Sequence, residues 1–304
     1  MTLAEQLGYS TADRLLILNA DDYGMCRSAN LGITSLLAGG GISSTTVMMP
    51  CGWAPNAVAT AIANPSFDVG IHLTFTSEWT NYRWGPITTA ESASLVDEFG
   101  YFPSDIAPVE VRANDDEVRR ESRAQIDRAI GLGLAPTHAD NHMGSLYGLA
   151  TGRDFLETVL TLCAEYGLPF RLPRYSDGLS DDPETAAALA RRCLEQAEKA
   201  DRLGVIIPDY LWTRPFHLAA EETYESVKAE WIEMIASIPT GVTEVYMHPF
   251  VESDEIRDLS ADWRKRVFEL RLFNDPDMRS LIADSDITLI GWRELQTLQK
   301  GLNS

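Results

Sequence analysis

What most constrains this chain is an alternation. Eight short runs rich in apolar and β-branched residues, at about 14–20, 43–49, 67–75, 136–142, 169–172, 204–209, 243–247 and 286–290, are separated mainly by segments that read as helices. Strands that alternate with helices build parallel sheets, because a parallel neighbour needs a crossover long enough to hold a helix. Within 304 residues the economical closure is a single-domain (β/α) TIM-like barrel over 1–304, with an open doubly wound sheet as the alternative. The helical segments carry their own boundaries: Asp182 and Pro183 are N-cap and first position of an Ala-rich helix running to 203, and Gly39-Gly40-Gly41 stops a helix that begins at Ser28. The run 115–130 places Val118, Ile126 and Ile130 on one stripe.

The alternation fails once, from 76 to 114, after the third expected strand. Prolines, glycines and aromatics, among them Trp79 and Trp84, occupy this stretch without period. Long segments of this kind in a compact domain are usually lids or binding loops, so 76–114 is expected to be an insertion near a site. Its tryptophans either stack on sugar rings or pack the loop onto the body.

Composition removes several classes. A formal net charge of −20 repels phosphates, which argues against nucleic acid and anionic membrane and favours a neutral or cationic ligand. Cys26, Cys51, Cys163 and Cys193 show no C-x-x-C spacing and read as small core residues in a reducing compartment. Without a secretory-type leader or a membrane-length apolar run, a cytoplasmic location is the expectation. Homodimerisation through the acidic, Ala-rich helices stays open.

Chemistry concentrates at the strand ends. The first strand closes in Asp21-Asp22-Tyr23-Gly24, where two adjacent carboxylates sit at a sheet rim. Four of the five histidines, His72, His138, His142 and His248, lie in or just beyond expected strands, where barrel enzymes keep their sites. His138, Asp140 and His142 fall at i, i+2 and i+4, which on a strand aims all three at one face. One carboxylate and two imidazoles suit a divalent metal and leave positions open for water and substrate. If strand geometry persists through Asp21-Asp22 the two carboxylates face opposite ways, so that only one binds metal.

At these residues the sequence resembles the YdjC-like (ChbG/HpnK) carbohydrate deacetylases, relatives of the polysaccharide deacetylases with a distorted (β/α) barrel. The matching pieces are Ala20-Asp21-Asp22-Tyr23-Gly24, Gly70-Ile71-His72-Leu73-Thr74, the stretch from Pro136 through His142, Met247-His248-Pro249 and Trp292-Arg293-Glu294-Leu295. They occur in family order across nearly the whole chain. The resemblance implies Asp22, His72 and His142 as ligands of one divalent metal, zinc or magnesium, Asp21 as general base, and His248 as acid or substrate-binding histidine. It places His138 and Asp140 behind the ligands, and Arg293 as a holder of Asp21 or Asp140 or else as an ordinary helix-capping residue. Many members carry a further histidine two residues after the last ligand, where this chain has Gly144.

The function so implied is metal-dependent removal of an acetyl group from an N-acetylated amino sugar or related glycan, a small carbohydrate being the partner. Two other readings compete. One is a two-carboxylate glycoside hydrolase using Asp21 and Asp140; the other is a sugar-binding barrel without turnover.

Overall fold

The computed structural model describes residues 1–88, 90–177 and 182–302. Its centre is β1 (Arg14–Tyr23), buried along almost its whole length. β2 (Ser44–Val47), β3 (Val69–Leu73) and β4 (Ala139–Asn141) lie in turn on one side of β1, and β6 (Gly241–Met247) and β5 (Tyr210–Trp212) on the other, every pair parallel. β7 (Ile287–Leu289) pairs with the first residues of β1, where β2 has not yet begun.

The expected fifth strand, 169–172, contributes a single bridge from Ala139 to Phe170 rather than a ladder. That bridge nevertheless helps to close the wall: Phe170 N–H donates to Ile206 O at 3.0 Å, and Asp209 N–H to Val242 O at 3.0 Å. The sheet therefore curls through 169–171 and 206–212 back to β6, giving a distorted (β/α) TIM-like barrel. The sixth expected strand, 204–209, is shifted onward to β5, and its residues serve as this irregular link.

Period-two alternation sorts β1. Leu16, Leu18 and Ala20 pack in the main core with Ile33 and Leu36 of the helix Arg27–Gly39. Leu15 and Ile17 join Val242, Ile290, Trp292 and Leu295 in a second cluster that fills the N-terminal end of the barrel. Asn19 and Asp21 share the parity of Leu15 and Ile17, so the interior changes from apolar to polar on moving toward the C-terminal ends. The same parity carries Thr46, His72, Asp140 and Glu244 inward, all of them buried.

The long helix runs from Pro183 to Leu203, and Asp182 accepts from Thr185 N–H as its cap. The 76–114 stretch is more ordered than its sequence suggests: it contains the helix Ile106–Arg112, and Asn114 caps the next helix, Asp115–Gly131. Trp79, Trp84 and Phe102 are buried on the body. All four cysteines are free and buried. Among the described residues no helix is long and apolar enough to cross a membrane.

Candidate metal centre and active site

β1 delivers both carboxylates to one pocket by breaking strand geometry. Asp22 takes φ +68°, a left-handed conformation that costs a non-glycine residue energy, and the pairing of β1 with β2 shifts register between Ala20 and Tyr23. The Asp22 side chain, which alternation would send away from Asp21, therefore lines the same cavity of about 700 Å³ at the C-terminal ends of the strands. Backbone strain of this kind concentrates at functional sites. His142 arrives in a similar way: β4 ends at Asn141, and Met143 at φ +54° turns the chain over the rim.

Asp22, His72 and His142 meet there. Asp22 Oδ1 is 3.6 Å from His72 Nε2 and 3.3 Å from His142 Nδ1, yet this fully buried oxygen has no hydrogen-bond partner. One ligand atom from each residue can be chosen so that all lie within 4.8 Å of one another. The far side of each group is anchored instead. His72 Nδ1 lies 2.7 Å from Asp140 Oδ1, His142 Nε2 lies 3.0 Å from Glu78 Oε2, and Arg266 Nη1 donates to Asp22 Oδ2 at 3.0 Å. An orphaned carboxylate oxygen facing two ring nitrogens is the arrangement a divalent cation would satisfy, and the donor set suits one.

Electrostatics agree. Burial alone would raise the carboxyl of Asp22, but His142, His248 and Arg266 bring it well below the ordinary carboxylate range. Burial would likewise lower His142, yet Glu78 and Asp22 raise it to about 10, so the field here calls for positive charge.

Beside this centre Arg171 collects three carboxylates. Its Nη1 and Nη2 bond Asp21 at 2.6 and 2.7 Å, Nη1 lies 2.9 Å from Asp140 Oδ2, and Nε and Nη2 bond Glu244 Oε1 at 3.0 and 2.9 Å. Its guanidinium lies over the Tyr246 ring. Against the upward push of burial, Arg171 and His72 hold Asp21 down at about 2, so it is ionised at neutral pH. Glu244, left with one unpartnered oxygen, is pushed up to about 7 by burial despite Arg171. A second conceivable cation site, Asp21, His72 and Asp140, is already neutralised by this guanidinium.

Other sequence expectations land differently. Arg293 holds neither Asp21 nor Asp140: it stands at the N-terminal end of β3, its backbone N–H on Asp68 Oδ2 at 2.8 Å and its side chain on the carbonyls of Pro65 and Phe67. The parity that aimed His138 inward is right, but the residue sits one layer below Asp140. There its ring stacks on Trp292 at 4.6 Å and stays neutral, burial lowering it well below the usual imidazole value. Trp79 lines the cavity, whereas Trp84 lies behind His142 with ring centroids 6.2 Å apart. His248 lines the cavity, edge-on to Phe216, and burial brings it to about 4, so its imidazole is neutral.

Arg171, Glu78, Arg266 and Glu244 were missed in the sequence. A lone arginine inside the apolar run 169–172 was a usable signal; Glu78 and Arg266, in a loop and a late helix, gave none.

The model for the family described as YdjC-like protein matches residues 15–284. The chain belongs to this family. It is 31% identical over 284 residues to a carbohydrate deacetylase of Thermus thermophilus, covering 93% of this chain and 95% of that one. A carbohydrate deacetylase of Thermoanaerobacter pseudethanolicus is 26% identical, over 93% of this chain and all of the other. Among solved structures, a putative cellobiose-phosphate cleavage protein of Enterococcus faecalis superposes with a TM-score of 0.73 at 26% identity, over 93% of this chain and 99% of that one. The residues that build the centre, from Asp21 to Arg266, all fall inside the matched family region.

Proposed function

We propose that the chain is a carbohydrate deacetylase that hydrolyses the N-acetyl group of an amino sugar or related glycan, with one divalent cation, zinc or magnesium, held by Asp22, His72 and His142. The observation that carries this reading is the buried, unpartnered Asp22 Oδ1 facing a nitrogen of each imidazole. The names and near-full-length coverage of the relatives supply the substrate class. A cation in such a site acts as a Lewis acid toward the acetyl carbonyl and lowers the pKa of water.

The chain's own groups divide the remaining work. Asp21, ionised and clamped at both oxygens by Arg171, accepts the proton of the attacking water. A carboxylate held at about 2 is a weak base, which suits a water that is itself acidified. Water's oxygen joins the acetyl carbon, the carbon–nitrogen bond breaks, and the products are acetate and the free amine. The proton taken up by Asp21 passes on to the departing nitrogen, and His248, neutral and lining the cavity, binds the substrate beside it. Trp79 and Phe216 line the cavity wall and supply apolar surface for the sugar.

The test is acetate release from a panel of N-acetylated sugars, before and after chelation and metal restoration, with His142→Ala alongside. Activity should vanish with the metal and with His142; activity indifferent to both rejects the reading. The glycoside-hydrolase alternative is disfavoured because Asp21 and Asp140 share one guanidinium nitrogen. Reducing-sugar release without acetate would reinstate it.

A further inference from the structure

We infer that Glu78 is a positioning residue for His142, holding the Nε2–H of the imidazole so that Nδ1 alone faces the cation site. This rests on the cation reading above and extends it to a residue outside the ligand set.

The two imidazoles are anchored by different means. His72 lies within β3 and is paired in register with Asp140 on β4, whose carboxylate takes its Nδ1 at 2.7 Å. The regular sheet supplies that partner. His142 lies past the end of β4, where no neighbouring strand can do the same. Its partner must come from elsewhere, and it comes from the segment after β3: Glu78 Oε2 is 3.0 Å from Nε2.

That segment is built to hold Glu78 still. Ser77 N–H donates to Pro103 O at 2.7 Å, Trp84 N–H to Ser77 Oγ at 3.0 Å, and the Trp84 indole N–H to Thr76 O at 2.8 Å. The Trp84 ring then walls one side of His142, and the His72 ring meets it edge-on at 5.3 Å. A ring with walls but no outer acceptor could still present either nitrogen. The Glu78 carboxylate, which only accepts, removes that choice. Outer carboxylates of this type orient metal-binding histidines generally and cost about 10- to 100-fold in metal affinity when lost.

The test uses the full chain with Zn²⁺ as probe, following affinity by calorimetry and the ligation state of His142 by ¹⁵N-histidine NMR. Glu78→Ala should weaken Zn²⁺ binding by about 10- to 100-fold and abolish the single Nδ1-ligated form of His142. Glu78→Gln, whose amide oxygen still accepts from Nε2–H, should keep that form and regain most of the affinity. An alanine variant with wild-type affinity and ligation overturns the inference, as does a folded glutamine variant that rescues neither. Should the alanine variant not fold, the glutamine variant decides: retention of Nδ1 ligation supports the role and a switch to Nε2 overturns it. Wild-type protein that binds no Zn²⁺, or binds it undiminished after His72→Ala, sinks the cation reading itself and this inference with it.

Discussion

Asp21 near the C-terminal end of β1 and Asp68 just before β3 are both buried carboxylates, yet the first is held at about 2 and the second is pushed up to about 6. Burial raises both. The difference lies in the partners. Asp21 faces the full charge of Arg171 through two hydrogen bonds, whereas Asp68 is met by the Thr137 hydroxyl and the backbone N–H of Arg293, both neutral dipoles. At Asp68 neutral donors soften desolvation without reversing it; at Asp21 a guanidinium on both oxygens reverses it, whereas at Glu244 the same guanidinium on one oxygen does not. The C-terminal end of the barrel thus holds Asp21 and Asp22 ionised, while the N-terminal end, closed by Trp292 and its apolar cluster, uses polar groups to tie the chain together.

Removing Arg171 should break this comparison most severely. Arg171→Met leaves Asp21 and Glu244 without their shared cation, and loss of one member of a buried ion pair costs about 3–5 kcal/mol. Urea denaturation at pH 7 should show that loss, and acetate release should fall with it. Without the guanidinium the folded-state carboxyls titrate higher, so the folded variant takes up protons as pH falls. The gap to wild type should therefore narrow between pH 8 and pH 5. A gap that stays constant would mean that Arg171 acts by packing alone.

Asp68 gives the opposite sign and a smaller effect. Its folded pKa of about 6 lies above the ordinary 3.8, so the folded state binds the proton more tightly than the unfolded state. Its contribution is fully present below about pH 3.8 and is lost as pH rises through 6, which for a shift of this size is on the order of 3 kcal/mol. Asp68→Asn cannot titrate. Measured from pH 3.5 to 7, the stability of Asp68→Asn relative to wild type should climb by about that amount; a flat difference would show that burial leaves the Asp68 carboxyl at its ordinary value.

How far the sequence revealed these two ends depends on how each is built. Most strands and their parity were legible because apolar alternation reports a residue's own environment, though 169–172 gave one bridge and 204–209 an irregular link; Asp22, His72 and His142 were legible as residues that converge. Of the two readings of Arg293, holder of Asp21 or Asp140 and helix-capping residue, the first fails because a strand-end position in sequence does not say which end of the barrel it occupies. β7 pairs with the first residues of β1, and this short pairing sets Arg293, a few residues beyond β7, beside Asp68. The left-handed turn at Asp22 could not be read either: an aspartate adopts it only because neighbouring structure over-determines it, and no residue type announces that. Glu78 was hidden for a related reason, since its contact with His142 spans a loop whose course is fixed by side chain to backbone bonds rather than by periodicity.

The boundary between the two ends can be probed with the mildest change of all. Gly70 lies on β3 beside His138, and a Cβ added there would come within 2.6 Å of two ring atoms of His138 and 2.7 Å of its carbonyl oxygen. The missing side chain is what admits an imidazole to this layer, where it rests on Trp292. Gly70→Ala should therefore cost about 1–3 kcal/mol by overpacking, read as a lowered urea midpoint with unchanged slope. Because His138 sits a layer below Asp140, the KM for an N-acetylated sugar should move far less than the stability does. A variant with wild-type stability would show that His138 can withdraw, and that the stacked layer dividing the polar from the apolar half of the barrel is not tightly packed.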